Sequence, residues 1–239
     1  MKSTCINKKF LIGLVASSIT LIGYANTASA AMLTLAPSNV IGGSALDDSG
    51  TAFNSGQVNA TMIFDQQSGT INEIPYGQTH YWLSQSSHAN AYIVIDLGAQ
   101  YTLNQIDLYN THNWYYNDRG TGQFKIDGAN AVTDTGNITG YDIFGATSTI
   151  LTGALNAQNG DSLINQSFSV SNTGNYRYLK FTALSVAAIH PISSLAYGLN
   201  EMKVYASAAP VPTLPAIWLI GSGLVGLFGF NKRQKTIPI

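Results

Sequence analysis

Cysteine is almost missing from this 239-residue chain, its one copy being Cys5. A single thiol so close to the start excludes an internal disulfide and leaves the body of the chain without a thiol nucleophile. Charge is also scarce, at 10% of residues. Of the 11 basic residues, Lys2, Lys8, Lys9, Lys232, Arg233 and Lys235 lie at the two ends. Between those ends stand five basic residues against all 12 acidic ones, a net charge of −7. An acidic body gains little from phosphate counterion release, which argues against a nucleic-acid partner and favours neutral sugars or divalent cations. His80, His88, His112 and His190 lack metal-binding spacing, and neither a Gly-x-Ser-x-Gly elbow nor a phosphate-cradling glycine loop is present. The carboxylates show no pairing that would mark a glycoside hydrolase. No catalytic role is expected.

What the chain does have is two ends that read as addresses. Lys2, Lys8 and Lys9 precede an apolar stretch over 10–24 and a small-residue Ala-Ser-Ala at 28–30, the layout of a secretory signal peptide over 1–30 with its signal-peptidase site. At the other end, a proline-bearing stretch is followed by an apolar run over 214–230 and by Lys232, Arg233 and Lys235. At about 1.5 Å per residue the run spans roughly 25 Å, enough for a thin bilayer, with the cations on the cytoplasmic side. A C-terminal transmembrane helix is therefore expected within 214–235, joined to the body by a linker over 207–213. The Val-Pro-x-x-Pro-Ala start at 211–216, the Trp-Leu-x-Gly-Ser-Gly-Leu centre at 218–224 and the basic tail resemble the PEP-CTERM sorting signal. That resemblance implies processing by an exosortase and export from a Gram-negative bacterium, first membrane-anchored through the C-terminus, then on the cell surface or in the extracellular matrix.

The body, 31–206, has no long helical period. Short runs at 91–97, 105–109, 122–127, 166–170, 176–182 and 200–205 carry β-branched and aromatic residues, several alternating apolar with polar, and turn residues separate them. An all-β sandwich or jelly roll is expected.

The order of these strands resembles the discoidin domain, the coagulation-factor C-terminal type of the galactose-binding-like superfamily, over roughly 36–206. The resemblance is carried by Asn-Ala-Thr-Met-Ile-Phe-Asp at 59–65, Tyr-Trp-Leu-Ser at 81–84, Tyr-Ile-Val-Ile-Asp-Leu-Gly at 92–98, Asn-Asp-Arg-Gly-Thr at 117–121, Tyr-Arg-Tyr-Leu-Lys at 176–180 and Gly-Leu-Asn-Glu-Met-Lys-Val-Tyr at 198–205. It departs from the family in its stretched segment 66–80. It implies a discoidin-like jelly roll, Trp82 as a core residue and a structural calcium held by Asp65, Thr70 and Glu201, which match the family's loop Asp and Thr and its last-strand Glu. Calcium takes such hard oxygens. Equally, Asp65 could cap a turn through its backbone and Glu201 could be a solvated strand residue.

The richest loop is 110–119. Sugars offer a C–H face for aromatic rings and hydroxyls for polar groups. Trp114, Tyr115 and Tyr116 are the expected platform, with His112, Asn113, Asn117 and Arg119 as polar contacts. The pair Asp118 and Arg119 could instead merely pin the loop. The expected function is binding of carbohydrate, with extracellular polysaccharide as partner; the alternative is a structural or protein-interaction component of the surface or matrix.

Overall fold

The computed structural model describes residues 29–44, 52–56, 58–65, 80–85, 90–111, 119–136, 138–157, 164–187 and 196–208. Residues 1–28 of the expected signal peptide and 209–235 of the expected linker and anchor lie outside the described residues. Among the described residues no helix is long and apolar enough to cross a membrane.

The body is all-β, as its alternation requires. The strands are β1 (Ala31–Met32), β2 (Val40–Gly43), β3 (Trp82–Gln85), β4 (Tyr92–Tyr109), β5 (Gln123–Ala129), β6 (Val132–Asp134), β7 (Tyr141–Ile143), β8 (Thr147–Ala154), β9 (Asn165–Ser169), β10 (Asn175–Ala183), β11 (Ala196–Leu199) and β12 (Glu201–Ala208). Two 3-10 turns, η1 (Pro37–Asn39) and η2 (Ala60–Phe64), interrupt the early chain. The six expected runs all fall on strands, but 91–97 and 105–109 form a single one, the 18-residue β4.

That strand organises the whole body. Its first half lies between β2 and β10, which continues through β5 to β8. The second half lies between β12 and β9, with β1 on the far side of β12. The change happens at the exposed stretch 98–100, where Gly98 adopts φ +84° and its N–H donates to Asp96 Oδ1 at 2.8 Å. A left-handed backbone there suits glycine. Further along, Asn104 is unpaired in the register with β12, and inward-facing positions pass from Ile93, Ile95, Leu97 and Leu103 to Ile106 and Leu108. Such a bulge lets one strand serve two sheets.

The two layers meet through their side chains. Phe124 of β5 lies edge-on to Phe168 of β9, with centroids 5.1 Å apart, and stacks on Phe181 of β10 at 5.7 Å. Trp82 is fully buried, edge-on to Phe181 at 6.3 Å, and its indole N–H donates to Ser44 O at 2.9 Å. It is the core residue expected from the sequence. The outer side of the first layer carries the β6–β7 ribbon, held by a Gly42–Gly140 bridge and by Lys180 Nζ donating to Asp142 Oδ2 at 2.8 Å.

Candidate functional site

Strand direction gives the sandwich two unlike ends. At one end β4 finishes and β12 begins, with Glu201 opposite Tyr109. At the other, β12 finishes at Ala208, opposite Tyr101. The seven-residue step from Glu201 to Ala208 separates them by about 23 Å. The aromatic loop leaves the first end, and the C-terminal segment leaves the second.

Residues 112–118 lie outside the described residues, and with them His112, Asn113, Trp114, Tyr115, Tyr116 and Asn117. Both flanks of this segment are described, and they are tightly joined. Asn110, fully buried, donates from Nδ2 to Thr121 O and to Asn156 O, each at 2.9 Å. Its Oδ1 accepts from the N–H of Thr121 at 2.9 Å and of Thr111 at 3.0 Å. A single amide thus supplies both donors and its acceptor, the arrangement a buried amide needs to avoid an unmet polar group. On the return side, Gly120 N–H donates to Ala196 O at 3.0 Å and Thr121 Oγ1 to Gly198 O at 2.8 Å.

Two glycines make this closure possible. Gly120 has φ +141°, and a Cβ there would lie 2.9 Å from Asn110 Oδ1. A Cβ on Gly198 would lie 2.4 Å from Thr111 Oγ1. Arg119, the described member of the expected sugar contacts, is half-buried and pairs through its backbone with Ala196. Asn110 opens the loop 110–119 read from the sequence, but no role was expected of it there.

The metal candidates divide. Thr70 lies outside the described residues. Asp65 ends η2, where its N–H donates to Met62 O at 3.2 Å, the turn-capping role anticipated for its backbone. Its side chain is also engaged, with Oδ2 2.7 Å from His80 Nδ1. Glu201 is 4% exposed, so it is not a solvated strand residue. It opens β12, and η2 packs against that strand. Among the described residues no group of three or more His, Cys, Asp or Glu could hold a metal ion. Asp65, beside His80, and Glu201, which is buried, carry the hard carboxylate oxygens that calcium takes.

No family model and no curated protein matches the chain. Solved structures do resemble it. A carbohydrate-binding module of family 32 from a family 31 glycoside hydrolase of Clostridium perfringens is 20% identical, with 73% of this chain and 96% of the module covered at a TM-score of 0.45. The family 32 module of the NanJ protein of C. perfringens, solved with galactose, is 16% identical over 74% of this chain and 98% of the module, at a TM-score of 0.45. A SusE-like protein is 11% identical over 76% of this chain and 68% of its own, at a TM-score of 0.52. At these identities the likeness concerns the fold.

Proposed function

We propose that this chain is an exported, non-catalytic carbohydrate-binding protein whose contact with sugar is made by the segment 112–118 and Arg119. The observation that supports it is the closure at Asn110, which joins the two flanks of an aromatic-rich segment at one end of a rigid sandwich. A binding loop on a fixed base loses less freedom when it binds than one on a slack base. Trp114, Tyr115 and Tyr116 then offer rings for the C–H faces of sugar units, while His112, Asn113 and Arg119 meet hydroxyls. No nucleic acid is a partner in this reading.

The export reading fits this polarity. With the PEP-CTERM-like segment following Ala208, a membrane anchor or its processed remnant would leave the end opposite the loop. The loop would face away from the cell, towards extracellular polysaccharide. Exosortase and signal peptidase would act on the two ends during export. Calcium, held by Asp65, Thr70 and Glu201, would supply structural stability and no chemistry.

A second reading is a structural or protein-contact role, favoured by Ile138, Tyr141 and Phe144 in and beside the β6–β7 ribbon, which are 43%, 41% and 63% exposed. A glycan array probed with the full chain, with and without calcium and including the producer's own exopolysaccharide, decides between them. Selective binding supports the carbohydrate reading. Silence across neutral and acidic glycans in both conditions overturns it in favour of the structural one.

A further inference from the structure

The register of the second layer fixes which side chains share its outward face. Gln105, Asp107 and Tyr109 of β4 stand opposite Tyr205, Lys203 and Glu201 of β12, and Asn165 of β9 stands opposite Tyr109. The intervening Ile106, Leu108, Met202 and Val204 belong to the core. Directly opposed residues of an antiparallel pair lie on the same side of the sheet. This face therefore carries two aromatic rings among polar groups, where the corresponding face of the first layer is covered by a ribbon.

Its centre is an unusual carboxylate. Asp107 is 3% exposed, although Asn165 beside it is exposed and Tyr109, Lys203 and Tyr205 are half-exposed. Gln105 Nε2 donates to Asp107 Oδ1 at 2.7 Å, and Asn165 Nδ2 donates to Oδ2 at 3.0 Å. The Tyr205 hydroxyl also bonds to Asp107; burial, followed by that carboxylate, raises its pKa above the ordinary tyrosine range, so it keeps the proton it donates. Lys203 Nζ donates to the Tyr109 hydroxyl at 3.1 Å and lies 4.9 Å from the centre of that ring.

These bonds order the side chains before any ligand arrives. Gln105 and Asn165 use their amide nitrogens on Asp107, so their carbonyl oxygens remain as acceptors for hydroxyl groups. Tyr205 lies four register positions from Tyr109, about 13 Å along the strands. Sugar chains are the ligands that repeat C–H faces and hydroxyls over such a length, and fixed polar groups lower the entropic cost of holding them. The face also runs continuously into the loop end, because Tyr109 directly precedes Asn110.

We propose that this outward face, centred on Tyr109, Lys203 and Tyr205, is a second carbohydrate surface that takes an extended neutral polysaccharide. Neutrality follows from the chain's acidic body and from Lys203 as the one cation on the described part of the face. The surface does not depend on the loop reading, since its residues stand on strands rather than on 112–118.

The test uses the full chain in a zwitterionic detergent without a sugar headgroup. Affinities are measured by calorimetry for galactan, mannan, laminarin and dextran and for galactose, mannose and glucose. The expected result is at least one polymer bound about tenfold more tightly than its monosaccharide. Tyr205→Ala lowers that polymer affinity about tenfold and leaves monosaccharide affinity unchanged. Tyr205→Phe, which keeps the ring, retains most of it. Should Tyr205→Ala fail to fold, Lys203→Gln carries the same comparison from a half-exposed position. Equal polymer affinity in wild type, Tyr205→Ala and Lys203→Gln overturns the proposal, as does the absence of any polymer preferred over its monosaccharide. Trp114→Ala separates the two sites: an unchanged monosaccharide affinity in that variant counts against the loop alone, while the Tyr205 comparison still judges the face.

Discussion

Asn110 Oδ1 accepts the backbone N–H of Thr121 at 2.9 Å, and Asn110 Nδ2 returns a bond to the carbonyl of the same residue, also at 2.9 Å. One side chain thus clasps the backbone on the far side of the aromatic segment. Asn110→Ala removes the clasp and leaves the buried N–H and C=O of Thr121, and the carbonyl of Asn156, without that partner. The expected cost is about 3 kcal/mol, read as a lower midpoint in chemical denaturation, together with weaker sugar binding. An unchanged midpoint contradicts the closure.

Arg177 grips Asp96 with two bonds, Nε to Oδ1 at 2.9 Å and Nη2 to Oδ2 at 2.8 Å, beside the Gly98 bend of β4. The hydrogen bonds from Arg177 hold the Asp96 carboxyl below the usual carboxylate range, against a smaller opposing effect of burial. A carboxylate whose folded pKa is depressed contributes stability that is complete above its unfolded value, about 4, and is lost as pH falls through the folded value. Wild type should therefore melt above Arg177→Ala at pH 7, and the difference should shrink below about pH 4. A difference that grows on acidification contradicts this.

Trp82 separates packing from ligand contact. With its ring against Phe181 and its N–H on Ser44 O, Trp82→Ala should cost about 4 kcal/mol through the cavity it leaves. Any loss of sugar binding should then follow the fraction unfolded. Sugar affinity lost at an unchanged melting temperature would assign Trp82 to a binding surface.

The strands were legible where side chains alternate or run apolar, as in 92–97 and 176–182, because burial on one or both faces imposes that pattern. β8 was not, since Thr147 to Ala154 is uncharged and mostly exposed and only Ile150 and Leu151 carry large apolar side chains. The unity of β4 was hidden by Gly98, which reads as a break and acts as a bend. At the candidate site, sequence pointed to the aromatic loop by composition but passed over Asn110, whose role depends on Thr121 and Asn156 coming near. Asp107 was hidden for the same reason: it reads as the polar half of an alternating strand, and its burial comes from Gln105, Asn165 and Tyr205 on three different strands.

Calcium, if held by Asp65, Thr70 and Glu201, stabilises the folded state by mass action. Chelation should lower the melting temperature of the wild type, and Glu201→Gln should abolish that response while leaving a folded protein. A melting temperature indifferent to chelator in the wild type removes the metal from the account.

The central claim, that the segment clasped by Asn110 contacts sugar, is tested most directly by Trp114→Ala and Tyr115→Ala, measured side by side for glycan affinity and for melting temperature. The account predicts about a tenfold or greater loss of affinity for the glycan that the wild type selects, with the melting temperature nearly unmoved. Affinity retained in both variants, or lost only in step with destabilisation, would contradict it.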